Sequence, residues 1–198
     1  MGRGRESGRQ RVLDAAYELF ASQGARDVGV DAVVERAGTA KMTLYRHFAT
    51  KDDLVCAVLD RREVLWTDRL FAEAELRGGS AGERLVAIFS VLDDWFRDPD
   101  FDGCTFVTTL VGAWPDGGRT LVSAADHLER IHARVLELAR QTGAPRPDQL
   151  AWHWSLLMRG AIVSAQAGHR EAALLAREMA VASLAAALAD PASPHAAS

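Results

Sequence analysis

Residues 37–54 read AGTAKMTLYRHFATKDDL, and the fold is decided by a short helix written across 40–48 of this stretch. At 3.6 residues per turn, Ala40, Leu44 and Phe48 share one face, while Met42, Thr43 and Arg46 fall on the outward side. Lys41 and Tyr45 flank one edge and His47 the other. One face packs, and the polar face is shaped to enter a groove.

The segment before it carries two more helical patterns. Val12, Ala15, Ala16, Leu19 and Phe20 recur at the spacing of one buried face over 9–22, and Gly24 is placed to stop that helix. Val30, Val33, Val34 and Ala37 make a second, shorter face. Gly38 follows where a left-handed turn residue is expected, because glycine alone adopts positive φ without steric cost. Three helices in about 40 residues, with a glycine turn before the third, predict a small bundle that exposes its last helix.

Charge supports an asymmetric molecule. The net charge of the 198 residues is -4, yet residues 1–51 hold nine Lys and Arg against six acids, a balance of +3. Both lysines of the chain, Lys41 and Lys51, lie in that basic head. A basic head on an acidic body suits a protein that meets a polyphosphate from one end only. Hydrophobic residues make up 48% and charged residues 25%, which is ordinary globular usage. The longest apolar run falls short of the roughly 18 residues that span a bilayer, and the segment MGRGRESGRQR has no apolar core of a signal peptide. A cytoplasmic protein with no membrane partner is expected. Cys56 and Cys104 are too few for a disulfide framework and lack zinc-site spacing, so both are expected as buried thiols.

Beyond residue 50 the pattern stays helical. Helices are predicted over 51–76, 81–97, 121–141, 148–167 and 170–189, with a shorter apolar segment at 103–114 that stops at Pro115. Pro147 suits the first turn of its helix. The expected fold class is all-α: a three-helix N-terminal helix-turn-helix domain (1–50), then a six-helix regulatory and dimerisation domain (51–190). A disordered tail (191–198) is expected to close the chain.

Several positions together resemble the DNA-binding domain of TetR-type transcriptional regulators. They are Arg11-Val12-Leu13-Asp14-Ala15-Ala16, Leu19-Phe20, Gly24, Ala37-Gly38, Thr43 to Phe48 and Lys51-Asp52-Asp53-Leu54. The resemblance runs in register over about the first 55 residues. Beyond them it rests on the string of helices and on Gly103-Cys104. It implies a homodimeric, all-helical, ligand-responsive regulator, by default a repressor, that leaves a palindromic operator when a small molecule binds the C-terminal domain. The dimer interface is implied on the last two helices, where Gly160, Ala161, Ala165, Ala172, Ala173, Ala180 and Ala182 would allow close approach. Three departures stand out. Gly29 replaces the Ser or Thr that starts the second helix, Thr39-Ala40 replaces Val-Ser before the third, and Met42 stands where glycine is common. Thr39 is expected to act as a substitute cap, and Met42 is expected to change which bases are read.

Groove chemistry divides the candidates. Tyr45, Lys51, Arg9 and Arg11 are assigned to phosphates, which fix register. Met42, Thr43 and Arg46 are assigned to base edges, where arginine binds guanine through two hydrogen bonds and methyl groups pack on thymine. Thr39, Lys41 and His47 complete the expected DNA-binding set. An unidentified effector is expected against Trp66, Trp95, Phe106, Trp114, His127, Ile131, Trp154 and Met158, a mostly apolar set with a polar member. Aromatic residues at helical spacing serve equally as core, and Arg134 is a further polar candidate. No cofactor is expected. No phosphate-binding glycine loop, nucleophile elbow or zinc helix is present, so an enzyme is not expected. The competing class is a helical small-molecule-binding or adaptor protein, which leaves the basic head unexplained.

Overall fold

The computed structural model describes residues 7–99, 101, 103–104, 107, 109 and 118–190. Most of the apolar segment at 103–114, including Phe106 and Trp114, lies outside the described residues, as does the tail. Among the described residues every regular element is helical. The chain divides into two compact units, one holding residues up to 65 together with 104–128, the other holding 66–103 and the residues from 129 onward.

The first unit begins with α1 (Gly8–Gln23), whose Ser7 side chain accepts the Gln10 amide as N-cap. Gly24 ends it at φ 84°, as its position in the sequence suggested. Next come α2 (Val30–Arg36) and α3 (Lys41–His47), and the turn between them passes through Gly38 at φ 57°. Val12, Ala16, Phe20, Val33, Leu44 and Phe48 are at most 3% exposed, so all three helices close on one core. Truncating Leu44 there would cost about 2–5 kcal/mol, the usual range for a buried leucine. Thr39 does not cap α3. Its N-cap is Ala40, with no side-chain hydrogen bond, because the helix starts one residue too late for the Thr39 hydroxyl. Gly29 likewise leaves α2 without a side-chain cap.

α4 (Lys51–Arg62) starts on a capping box, in which Thr50 and Asp53 satisfy each other's backbone amides. The unbroken helix expected over 51–76 is interrupted. A π-helical turn (Glu63–Thr67) joins α4 to α5 (Asp68–Arg77), and the chain passes from one unit to the other within it. Such a turn holds one residue more than α geometry allows and is a common place for a helix to change direction. An apolar pattern cannot reveal it, since the residues on either side stay in helical register.

The second unit is built on α5, α6 (Ala81–Arg97), the later part of α7 (Arg119–Gln141), α8 (Pro147–Gln166) and α9 (Ala172–Ala189). Ser80 and Glu83 form a second capping box at the start of α6, and Pro147 occupies the first turn of α8 as expected. α5 packs on α6, α6 on α9, and α8 on α9. The Trp154 indole is fully buried, donates to the Leu85 carbonyl at 2.8 Å and packs against Phe89, fastening α8 to α6. Ala161, Ala165, Ala172, Ala173 and Ala180 are buried within the chain itself, on the pair α8 and α9. Their small side chains therefore serve to bring these two helices of the chain together.

Candidate DNA-binding surface

The surface is built on α3, whose Leu44 and Phe48 are held in the core of the first unit. That anchorage fixes the rotation of the helix, so its other residues have no choice of direction. Met42 is 82% exposed and Tyr45 46% exposed, and Lys41, Arg46 and His47 are exposed beside them. Tyr45 is thus no core aromatic. Arg9 is exposed on the first turn of α1, with its guanidinium 5.3 Å from the Phe48 ring centre, while Arg11 and Thr39 are half-buried.

Thr43 differs from its companions. It is half-buried, and a Cβ added at Gly8 would stand only 2.8 Å from its methyl carbon. The start of α1 therefore lies directly on this side chain. The reason is angular: Thr43 is one residue, or about 100°, from Leu44, which makes it a flank position rather than an outward one. Its methyl is turned to α1 and not presented freely to a thymine.

The two lysines of the head are both engaged. The Lys51 ammonium donates to the Arg26 carbonyl at 2.9 Å, joining the start of α4 to the turn that precedes α2, and partial burial holds its pKa below the ordinary lysine value. The Lys41 ammonium lies 2.8 Å from the Asp31 carboxylate on α2. That hydrogen bond and the charge of Asp31 hold the Lys41 pKa above its ordinary value. Sequence reasoning missed Asp31, because the nine positions between the two residues conceal a contact that only the turn at Gly38 creates. Asp53, besides capping α4, pairs with Arg119 at the start of α7. Its pKa is depressed, first by the Thr50 hydroxyl and amide and further by the Arg119 guanidinium.

The residues expected to meet an effector do not gather in one place. Trp66 and Trp95 come together in the second unit, with ring centres 3.7 Å apart, and line a cavity of about 210 Å³ with Arg69, Leu70, Arg77 and Asp94. Trp154 and Met158 are core residues of the same unit, and Ile131 is half-buried there. Arg134 pairs with Asp68 at 2.6 Å and stacks over Phe71. His127 belongs to the first unit, is 1% exposed, and sits 2.5 Å from Glu63 and 3.4 Å from Asp60 through its two ring nitrogens. His132 is buried against Ser155 at 2.8 Å. Cys104 is buried but Cys56 only partly so, a correction to the expected pair of buried thiols, and the two are not joined in a disulfide. Among the described residues no three His, Cys, Asp or Glu side chains are placed to hold a metal.

Known proteins are similar to this chain in sequence and in fold. The family model for bacterial regulatory proteins of the TetR family matches residues 12–58, which takes in α1 from Val12 onward, α2, α3 and most of α4. The chain is 42% identical to the transcriptional activator FasR of Mycolicibacterium smegmatis over 67% of its own length and 66%, just under two thirds, of FasR. It is 30% identical to the transcriptional repressor ComR of Escherichia coli over 84% of its own length and 83% of ComR. Its fold is similar to the crystal structure of a TetR-type regulator from Streptomyces avermitilis, with a TM-score of 0.82, 28% identity, and coverage of 92% of this chain and 98% of that one.

Proposed function

The chain belongs to the TetR family of helix-turn-helix transcriptional regulators, which are not enzymes, and we propose that it works as a cytoplasmic homodimer on a palindromic DNA operator. The observation that carries this reading is the division of α3 into a buried face, Leu44 and Phe48, and an exposed one, Met42, Tyr45, Arg46 and His47. The exposed face enters the major groove. Arg46 reads a base edge there, Met42 offers an apolar contact, and Tyr45, Arg9, Arg11 and Lys51 fix the register on phosphates. To reach a phosphate, Lys51 must exchange its bond to the Arg26 carbonyl for one to DNA. Thr39, Lys41 and His47 lie at the edge of the same surface.

Dimerisation is supported by apolar surface that the single chain leaves uncovered. On α8, Leu156, Gly160 and Val163 are exposed at spacings of four and three; on α9, Leu175, Met179 and Ala182 repeat them. No continuous apolar run reaches membrane length, yet α9 as a whole has a mean hydropathy of 1.6 and is only 22% buried. A second copy covering this face accounts for such a helix, and monomeric proteins rarely leave contiguous apolar area of this kind open. Two α3 helices would then meet successive turns of the duplex, about 34 Å apart.

A small effector releases the DNA by binding one of two shapes better than the other. The Trp66 and Trp95 cavity is the candidate site, with Arg69, Arg77 and Asp94 as its polar members. Repression is proposed as the sign of regulation. The relatives include the activator FasR and the repressor ComR, so their names do not choose it. Mobility shift of the DNA flanking the protein's own gene tests the whole reading. A retarded fragment is expected, and no retardation of any fragment at low salt, with or without cell extract, would refute it.

A further inference from the structure

Asp31 is 83% exposed in its side chain, stands in the first turn of α2 and places its carboxylate 2.8 Å from the Lys41 ammonium, which is 52% exposed on the first turn of α3. An uncompensated carboxylate on a surface that meets phosphates is unfavourable, since like charges repel strongly where water is displaced. Lys41 supplies the compensation. The reverse also holds: while Lys41 neutralises Asp31, it adds no net charge to the DNA-facing surface.

Resting on the DNA-binding reading above, we propose that Asp31 is a specificity-determining residue that withholds the charge of Lys41 from indiscriminate phosphate binding. Affinity for arbitrary DNA is set by how many phosphates a protein neutralises, each of which releases a counterion. A lysine paired to an aspartate releases none until it leaves its partner. Asp31 therefore lowers binding to arbitrary DNA, where Lys41 stays paired, and spares the specific site, where the seating of α3 by Arg46 lets a phosphate replace Asp31 as the partner of Lys41. The ratio of specific to nonspecific binding rises as a result. The pair is exposed, and exposed ion pairs contribute little to folding, so its replacement need not disturb the bundle.

Asp31→Asn tests this with two probes, poly(dI-dC) and a duplex selected by the wild-type protein from a random pool. For the variant, affinity for poly(dI-dC) should rise about five- to tenfold near 0.1 M salt, and the slope of log K against log salt should steepen by about 0.9, the contribution of one phosphate. Discrimination between the two probes should fall. Adding Lys41→Gln to Asp31→Asn should return the slope to its wild-type value. An unchanged slope refutes the proposal, and so does a loss confined to one base pair of the selected duplex, which would mean that Asp31 itself contacts a base. If the wild-type protein binds neither probe, the DNA-binding reading fails and the proposal with it; the other two failures leave that reading standing.

Discussion

Gly8 shows how far a single residue reaches into the surface on α3. A real Cβ almost never approaches another carbon to 2.8 Å, the distance an alanine there would meet at the Thr43 methyl, so one of the two must move. Thr43 is β-branched, and displacing its methyl rotates its hydroxyl as well. Gly8→Ala should therefore weaken binding to a selected duplex, although alanine is the better helix former. Thr43→Ser, which removes the methyl, should restore it in the double variant. Equal affinity for wild type and Gly8→Ala would show that the contact is idle. At this scale the sequence was readable for Leu44, Phe48 and Tyr45, because one periodic pattern orients all three. It was not readable for Thr43, whose partner is on α1, or for Asp31, whose partner is across the turn.

Helix starts decide much at the scale of elements. α4 and α6 carry full capping boxes, whereas α2 and α3 start on Gly29 and Ala40 without side-chain caps. The two elements that form the helix-turn-helix thus rely on packing more than on local bonds. Asp53 joins the cap of α4 to Arg119 of α7, and its depressed pKa gives a pH signature. A carboxylate whose folded pKa is lowered stabilises the fold above its unfolded value, about 3.9, and loses that contribution as pH falls through the folded value. Urea unfolding should find wild type more stable than Asp53→Asn near neutrality, with the gap closing below about pH 4. A gap that does not change with pH would contradict the pairing. Boundaries of most helices lay within two residues of their expected places, since Gly24, Gly38 and Pro147 mark them chemically. The π-helical turn at Glu63–Thr67 and the missing Thr39 cap were hidden, because tertiary packing and not composition sets them.

For the whole molecule, the apolar faces of α8 and α9 call for a second copy. Leu156→Asp with Met179→Asp, both at exposed positions, should leave the helical content unchanged while halving the mass found by light scattering and abolishing tight DNA binding. A wild-type monomer at the same concentration would remove the dimer. The body of the chain was less legible than its head. Trp66, Trp95 and Trp154 look alike in sequence, yet one pair borders a cavity and the third is core, a distinction made by neighbours far along the chain. The central claim for the whole molecule is that the exposed face of α3 reads DNA. Its most direct test is selection of duplexes from a random pool by wild type and by Arg46→Ala. Wild type should enrich one inverted repeat, and Arg46→Ala should lose preference at one base pair in each half-site, a cost of about 1–3 kcal/mol. Enrichment of no sequence by the wild-type protein, or an identical motif from both proteins, would contradict it.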